Sequence, residues 1–464
     1  MSWRAFLRIL LFVAIPAASV AQPVRVRPIP KNWYQLDPAI DSVAGISLTR
    51  AYQLLKGMKP ETVIVAVIDN GVDIDHEDMK NVIWTNPKEI PGNHIDDDHN
   101  GYADDIHGWN FRGAKDGTII ENEQASATQF YSAWQKQISH DNTTRMSFTD
   151  REAYHTYLRA ERSYLEHLNS KDSNDIKYAY NINFSSRLGI ANYKINSGDA
   201  HYGSPYFKLS ANLSHGTHVA GIIAAQRNNG TGIDGIADNV RIIPIVASTA
   251  VGDERDEDIA NAIRYAVDNG ARIISMSFSK LFSPDKKLVD EAIRYAEKKN
   301  VLIIHCAGND GVNIDDPLNY HYPIAIYTDG HRASNFITVG WNRPLFDHRL
   351  AHPYSNYGKM NVDLFAPGSD IYSTVPGNAY DFKSGSSMAT PVVSGVAALL
   401  MEYFPTLTAA QVKDILVKSV FKPKQLVNKP QTKNEVTFES LSVSGGIVNA
   451  YNAVKMAMEI TGKN

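Results

Sequence analysis

Three short motifs, far apart in the chain, contain an aspartate, a histidine and a serine. Asp69 follows an apolar run, His215 begins the segment HGTHVAG, and Ser387 lies inside the segment GSSMATP. A serine hydroxyl is a weak nucleophile and needs a neighbouring base. An imidazole, with a pKa of about 6.5, can take the hydroxyl proton and return it. A buried carboxylate can hold that imidazole in the required tautomer, so the three residue types together indicate nucleophilic catalysis by a serine.

These residues can act together only if the chain brings them to one place. The run from Thr62 to Ile68 (TVIVAVI) is apolar throughout, as in a parallel strand buried on both faces. Further runs of this kind alternate with helical patterns, which predicts a doubly wound, mostly parallel α/β sheet flanked by helices. In such sheets, sites form beyond the carboxyl ends of the strands, where distant motifs can converge. The further strand runs are 240–246, 272–276, 301–306 and 336–339, and the helical patterns are 258–267, 288–296, 408–417 and 448–460.

The content and order of the motifs resemble those of the subtilisin-like serine proteases (subtilases). The histidine motif matches the family pattern in full. Asn70 stands where the family usually has Ser or Thr, and Ser386 stands where it usually has Thr. The α/β-hydrolases use the different order Ser, Asp or Glu, His, and Ala389 replaces the glycine that their nucleophile elbow requires. The resemblance covers about residues 60–112 and 212–404.

The resemblance implies a role for each motif. Asp69 would orient the base, His215 would be the general base, and Ser387 would be the nucleophile of an endopeptidase that forms an acyl-enzyme intermediate. The family places its oxyanion-binding asparagine in an Ala-Gly-Asn motif, which identifies Asn309. The Asn309 amide and the backbone N–H of Ser387, at a helix start, would stabilise the oxyanion. No catalytic cofactor is implied.

A third segment resembles the family's strand that pairs with substrate. It contains Ser277, Phe278 and Ser279, and it implies a polypeptide substrate bound in an extended conformation along a cleft. Phe278 and Ser279 replace a leucine and a glycine of the usual pattern, which leaves the shape of the primary pocket open. Three alternative functions remain at this point: a catalytically silent pseudoprotease that binds peptides, an exopeptidase with a partly closed cleft, and a calcium-dependent structural or interaction protein.

An acidic loop is the best candidate for a metal site. Asp96, Asp98 and Asn100 alternate like the first ligands of a calcium loop, and Asp104 follows them. His107 stands where an EF-hand would have a bidentate glutamate, so we expect a shorter oxygen-ligand loop that binds structural Ca²⁺. A solvated acidic turn and a histidine-based transition-metal site are the alternatives. A second possible ion loop is 228–234.

The N-terminus has the pattern of an export signal. Arg4 and Arg8 precede the apolar run 9–15, and Ser19-Val20-Ala21 supplies small residues before a cleavage site. We therefore expect residues 1–21 to be a signal peptide and the mature protein to be periplasmic or secreted; a retained membrane anchor is the alternative. No later stretch has the apolar length of a membrane span.

Composition excludes several classes of protein. The 464 residues include 46 Lys and Arg against 50 Asp and Glu, a net charge of −4 that argues against a nucleic-acid partner. The 43% hydrophobic content is typical of a folded core. Cys306 is the single cysteine, so an intramolecular disulfide is impossible. We expect a monomer.

The predicted domain organisation has a catalytic domain in two parts. A signal peptide (1–21) and an N-terminal arm with a short helix (22–60) precede the first part (61–112), which contains the acidic loop. Residues 113–211 lack the strand–helix alternation, and a structureless segment of this length is improbable in a compact domain, so they predict a partly helical insertion or subdomain. The second part (212–464) ends in helices.

Overall fold

The computed structural model describes residues 28–112, 158, 202–205, 213–248, 254–283 and 285–463. The chain divides into a short unit, Met1–Pro30, and a large unit, Lys31–Asn464. The predicted signal peptide and nearly all of the predicted insertion at 113–211 lie outside the described residues.

A seven-stranded sheet forms the centre of the large unit. Each neighbouring pair of its strands is parallel. In spatial order the strands are β2 (Trp109–Asn110), β3 (Val240–Val246), β1 (Val63–Asp69), β4 (Ile273–Met276), β5 (Leu302–Cys306), β6 (Phe336–Asn342) and β7 (Leu364–Pro367). All five strands predicted from apolar runs are present, and β1 is an interior strand, the third of the seven. The doubly wound parallel α/β fold is therefore confirmed.

Helices cover both faces of the sheet because the strand side chains point alternately to either side. Along β1, Val65 and Val67 belong to one apolar cluster with the helices α2 (Ser214–Ala224) and α5 (Ser386–Tyr403). Ala66 and Ile68 belong to another cluster with α3 (Asp256–Asp268) and α4 (Lys286–Lys298). The helices are α1 (Leu48–Leu54), α2 (Ser214–Ala224), α3 (Asp256–Asp268), α4 (Lys286–Lys298), α5 (Ser386–Tyr403), α6 (Ala409–Lys418) and α7 (Ala450–Thr461). The capping box predicted from Thr408 and Gln411 is formed at the start of α6.

Smaller elements complete the large unit. Two antiparallel hairpins pair β8 (Ile371–Val375) with β9 (Ala379–Lys383) and β10 (Leu426–Asn428) with β11 (Glu435–Thr437). The described part of the predicted arm packs on the core: Trp33 is buried, and the Ile46 carbonyl accepts a hydrogen bond from the first residue of α7. Among the described residues, no helix combines the length and the apolar character needed to cross a membrane.

Candidate active site

The aspartate and histidine motifs meet at the carboxyl end of β1. Asp69 is the last residue of β1 and is 2% exposed, and His215 is the second residue of α2. The imidazole Nδ1 lies 2.8 Å from Asp69 Oδ1 and 3.0 Å from Oδ2. The His215 side chain is 35% exposed, so one edge of the ring is held by a buried carboxylate while the ring remains accessible. This is the geometry in which a carboxylate fixes the tautomer of a general base.

The pKa of His215 is raised above its ordinary value of 6.5. Burial disfavours the charged ring and lowers the pKa, but the charge of Asp69 and its hydrogen bond more than offset this effect. The imidazolium that forms when His215 accepts a proton is therefore stabilised within the site.

Asn70 connects the aspartate motif to the helix that carries His215. The N-cap residue of α2 supplies no side-chain hydrogen bond to the helix. Instead, Asn70 Oδ1 accepts the backbone N–H of Gly216 at 3.0 Å, and the Asn70 N–H donates to Asp69 Oδ1 at 2.8 Å. Asn70, which replaces the usual Ser or Thr, thus has a side chain long enough to cap α2 from the end of β1.

Ser387 is the second residue of α5 and follows Gly385, which precedes the helix. Its side chain is partly exposed, and its hydroxyl donates to the carbonyl oxygen of Ser277 at 2.7 Å. Ser277 directly follows β4, which is the neighbour of β1 in the sheet. The serine motif therefore lies at the same edge of the sheet as Asp69, in a rotamer that points its hydroxyl to the segment after β4.

Asn309 lies beside the serine motif, in the loop after β5. Its Oδ1 accepts hydrogen bonds from the backbone N–H and the hydroxyl of Ser386, at 2.8 and 3.1 Å. Because the oxygen is occupied by these donors, the Nδ2 group faces away from Ser386. A Cβ added at Gly385 would lie 3.6 Å from Asn309 Nδ2 and 3.7 Å from the backbone nitrogen of Ser387. Both predicted oxyanion donors thus border the space that the missing side chain of Gly385 leaves free.

The three predicted substrate-binding residues have different environments. Ser277 is buried and accepts the Ser387 hydrogen bond, and Ser279 is partly exposed. Phe278 is 8% exposed, and its ring packs edge-on against His305 at a centroid distance of 6.2 Å. The Phe278 ring is therefore part of the core beneath this segment. The following residue, Lys280, is also buried and forms an ion pair with Asp256 at 2.7 Å.

Two residues near the site are buried and play structural parts. His218 has Nε2 within 3.0 Å of the Ile371 carbonyl and 3.1 Å of the Asp381 carbonyl, and burial lowers its pKa to about 4. Cys306 donates its S–H to the Phe278 carbonyl, and burial raises its pKa to about 12. With a pKa this low, and with Nε2 held at two backbone carbonyl oxygens, His218 is a weak base that does not face the Ser387 hydroxyl. The un-ionised thiol of Cys306 does not supply a thiolate nucleophile.

The acidic loop brings together a partly different set of carboxylates from the predicted one. Within the described ranges, Glu89, Asp96 and Asp98 offer oxygens that lie within 4.8 Å of one another. Asp104 lies outside this group, and its two oxygens accept the backbone N–H groups of Gly92 and His94. The remaining predicted ligand, Asn100, uses its Oδ1 to accept the Tyr102 N–H.

Three residues that matter for the site were missed by the sequence analysis. Glu89 precedes the alternating acidic pattern and reaches the loop only through the fold. The capping contact of Asn70 depends on the pairing of two distant motifs. Asn356 hydrogen bonds to the loop that carries Asn309 from 49 positions away. Sequence spacing gives no signal for such contacts.

Comparisons with known proteins agree with this architecture. The model of the subtilase family matches residues 61–443. A thermophilic serine proteinase of Bacillus sp. (strain AK1) is 38% identical over 242 residues, which are 52% of this chain and 52% of that protein. A cell wall-associated protease of Bacillus subtilis (strain 168) is 36% identical over 247 residues, which are 53% of this chain and 24% of that protein.

A solved structure extends the likeness to most of the chain. Proteases from Pseudoalteromonas arctica have a structure that covers 92% of this chain and 97% of that chain, with a TM-score of 0.50 and 21% identity. This likeness concerns the fold. The match to the first two curated relatives spans about half and about a quarter of their own lengths.

Proposed function

The chain belongs to the subtilase family, and on that basis we propose that it is an exported serine endopeptidase that hydrolyses polypeptides through an acyl-enzyme intermediate. The observation that carries the proposal is the contact of His215 Nδ1 with the buried carboxylate of Asp69, at the sheet edge where Ser387 lies in the first turn of α5. A histidine with only a structural role has no need to remain partly exposed while a buried carboxylate fixes its orientation.

In the acylation step, Ser387 Oγ attacks the peptide carbonyl carbon. His215 Nε2 takes the hydroxyl proton as the new C–O bond forms, and Asp69 stabilises the resulting imidazolium. Asn309 Nδ2 and the Ser387 backbone N–H donate hydrogen bonds to the oxyanion of the tetrahedral intermediate. His215 then gives its proton to the leaving nitrogen as the C–N bond breaks.

Deacylation repeats the same steps with water. His215 removes a proton from the attacking water, the oxyanion forms again at the same donors, and the Ser387 oxygen leaves with the proton returned by His215. The reaction releases a free carboxylic acid and restores the enzyme. The rotation of Ser387 Oγ from the Ser277 carbonyl to the imidazole precedes the first attack.

The substrate in this proposal is a polypeptide in an extended conformation. Backbone groups of the segment 277–279 would pair with it, while the Phe278 ring remains in the core and does not contact the substrate. Selectivity then comes from pockets on either side of this segment. The protein would act as a monomer.

One observation favours a second function. The Ser387 hydroxyl donates to the Ser277 carbonyl, and no hydrogen bond to His215 is present in the described structure. A protein that kept this rotamer with substrate bound would be a silent peptide-binding scaffold. Nucleophile–base contacts are often long in the absence of substrate and tighten in the complex, so we place the peptidase first.

We also propose that the acidic loop binds a structural Ca²⁺. The donor set fits, because Glu89, Asp96 and Asp98 offer carboxylate oxygens, which are the ligands that Ca²⁺ prefers. The expected ligands Asn100 and Asp104 would then act by shaping the loop. Such an ion would stabilise an exported chain that has no disulfide.

The proposal of export rests on the leader pattern of residues 1–21 and on the name of the cell wall-associated relative. N-terminal sequencing of the mature protein from cell fractions tests it. A start near Gln22 in the periplasm or medium is expected, and an intact N-terminus in the cytoplasm would contradict it.

The central experiment compares wild type, Ser387→Ala and the control Ser384→Ala. Each protein is treated with a serine-reactive fluorophosphonate probe and with an unfolded protein substrate, with and without Ca²⁺. We expect labelling and internal cleavage in wild type and the control, and neither in Ser387→Ala. Absence of labelling in folded, calcium-loaded wild type would refute the peptidase and support the silent scaffold. Cleavage only at chain ends would indicate an exopeptidase.

A further inference from the structure

The loop that carries Asn309 has little intrinsic preference for one conformation. It runs from Ala307 to Val312 after β5, and both of its glycines, Gly308 and Gly311, have a positive φ, of 99° and 69°. Glycine loses more conformational freedom on folding than any other residue, so contacts from outside the loop must hold it in place. The Asn309 side chain is itself exposed at the surface.

Asn356, between β6 and β7, supplies such contacts. It is 0% exposed, and its Nδ2 donates to the Ala307 carbonyl at 2.9 Å. Its Oδ1 accepts the backbone N–H groups of Asp310 and Val312, at 3.1 and 3.0 Å. One buried amide therefore joins the two ends of the loop, on either side of Asn309, without a hydrogen bond to Asn309 itself. Three of its hydrogen bonds are to backbone groups of the loop and constrain the path of the loop directly. Its Nδ2 also lies 3.5 Å from Asp310 Oδ2 and 3.2 Å from His321 Nε2.

His321 holds the same loop from another direction. Its Nε2 lies 2.6 Å from Asp310 Oδ2, and this contact lowers the pKa of the Asp310 carboxyl. The ring also lies against Gly308, where an added Cβ would be 2.6 Å from His321 Cδ2. The next residue, Tyr322, exchanges two backbone hydrogen bonds with Lys280, in the segment after β4. The loop is thus connected to the proposed substrate segment.

We propose that Asn356 is a positioning residue for the oxyanion donor: its hydrogen bonds hold Asn309 where the amide meets the oxyanion, and the His321–Asp310 contact supports the same geometry. The inference rests on the proposed peptidase function. Loss of one oxyanion donor lowers kcat by about 100- to 1000-fold, and a misplacement of about 1 Å can cost about 100-fold.

The test is a double-mutant cycle with Asn356→Asp and Asn309→Ala. Asn356→Asp keeps the acceptor for the two N–H groups but places an oxygen against the Ala307 carbonyl, which breaks the bracket at one end. We expect kcat to fall by about 10- to 100-fold with KM within about twofold, because the donor acts on the transition state. In the Asn309→Ala background, the same change should lower kcat by no more than about twofold, since the donor it positions is already absent.

The matched control is Asn335→Asp at the opposite end of the sheet. Asn335 is also buried, and its Nδ2 donates to the Val301 carbonyl at 2.7 Å. This change should lower stability without a selective loss of kcat. His321→Gln provides a second route to the same loop, and it should couple to Asn309→Ala in the same way if Asn356→Asp does not fold.

The outcomes separate this inference from the function on which it rests. If folded Asn356→Asp keeps the wild-type kcat, or if its effect multiplies with that of Asn309→Ala, the positioning role is refuted while the peptidase stands. If wild type shows no hydrolysis above Ser387→Ala, the peptidase itself fails and the inference falls with it.

Discussion

Replacing Asn70 with alanine tests whether the aspartate motif also stabilises the helix that carries the base. Asn70 Oδ1 accepts the backbone N–H of Gly216, in the first turn of α2, and both residues are buried. Alanine would remove the acceptor and leave that N–H without its partner. Loss of a helix cap costs about 1 kcal/mol, within a range of about 0.5–2, and a buried unsatisfied donor costs about 1–3 kcal/mol. We therefore expect a loss of about 2 kcal/mol in the free energy of unfolding.

The measurement is urea unfolding in the Ser387→Ala background, where self-digestion cannot interfere. With a slope of about 3 kcal/mol per molar urea, a loss of about 2 kcal/mol moves the midpoint down by about 0.7 M. Asn81→Ala is the control, because that side chain is exposed and its hydrogen bond joins Gln226 at the surface. It should change the free energy by less than about 0.5 kcal/mol.

Activity gives an independent measure of the same contact. In the otherwise wild-type protein, Asn70→Ala should lower kcat by about tenfold, because Gly216 directly follows His215 and a frayed first turn misplaces the imidazole. An unfolding midpoint within 0.2 M of the parent, together with an unchanged kcat, would show that α2 does not depend on Asn70. Asn70 would then not be the residue that caps α2 from the end of β1.

Three further predictions concern the proton, the oxyanion space and the metal. Asp69 raises the pKa of His215, and the neutral ring is the base, so kcat/KM should fall as the pH drops through a pKa above 6.5. Asp69→Asn should move this acidic side of the pH–rate profile to lower pH and lower kcat by about 10⁴-fold. If the acidic side of the profile does not move, the assignment of Asp69 is contradicted. Gly385→Ala should lower kcat by at least about 100-fold in a folded protein, because the added methyl group fills the space beside the oxyanion donors. Gly377→Ala is the control for a substitution at positive φ: the φ is 81° there and 147° at Gly385, and nothing lies within 4 Å of the added Cβ at Gly377. It should keep kcat, and equal losses would point to backbone strain alone. Ca²⁺ at 100 times its Kd should raise the free energy of unfolding of Ser387→Ala by about 2.7 kcal/mol relative to the same protein in chelator. Asp98→Asn should abolish this difference. A difference that persists would place the ion at another site, such as the loop 228–234.

The sequence predicted the elements that have a strong local pattern. The run TVIVAVI forms β1, and Thr408 and Gln411 form the expected capping box. Both features depend on residues that are close together in the sequence, so a local pattern is enough to predict them. Short elements were missed. Trp109–Asn110 joins the sheet as a two-residue strand, and the exposed strand Ala379–Lys383 carries no apolar run, so neither could be distinguished from a loop.

The same limit applies to the candidate site. The motifs identify the residues proposed to do chemistry, but they do not identify the residues that hold those residues in position. Glu89 enters the acidic group because the loop folds back on it, and its carboxylate accepts the Asp97 and Asp104 N–H groups. The hydrogen bonds of Asn356 likewise form only after β5 and β6 are side by side. Such partners are set by the path of the chain in three dimensions, which local patterns do not encode.

The interior position of β1 in the sheet has a consequence for the order in which the protein can fold. Val63 pairs with Val240, and Val65 pairs with Ile273, so the first long strand to be synthesised is flanked only by strands made much later. At about 5–20 residues per second, it waits roughly ten seconds or more for its first neighbour. Pairings between segments so distant along the chain also fold slowly, because a long loop must close before they form.

If the proposed function is right, the catalytic groups come together only late in the synthesis of each molecule. Asp69 is among the first site residues to be made, but its histidine partner lies 146 positions further on, and the serine follows all seven strands of the sheet. A chain that has been synthesised only as far as β7 still lacks the proposed nucleophile, Ser387. The topology would therefore delay the proposed proteolysis until all seven strands of the sheet and the start of α5 have been made.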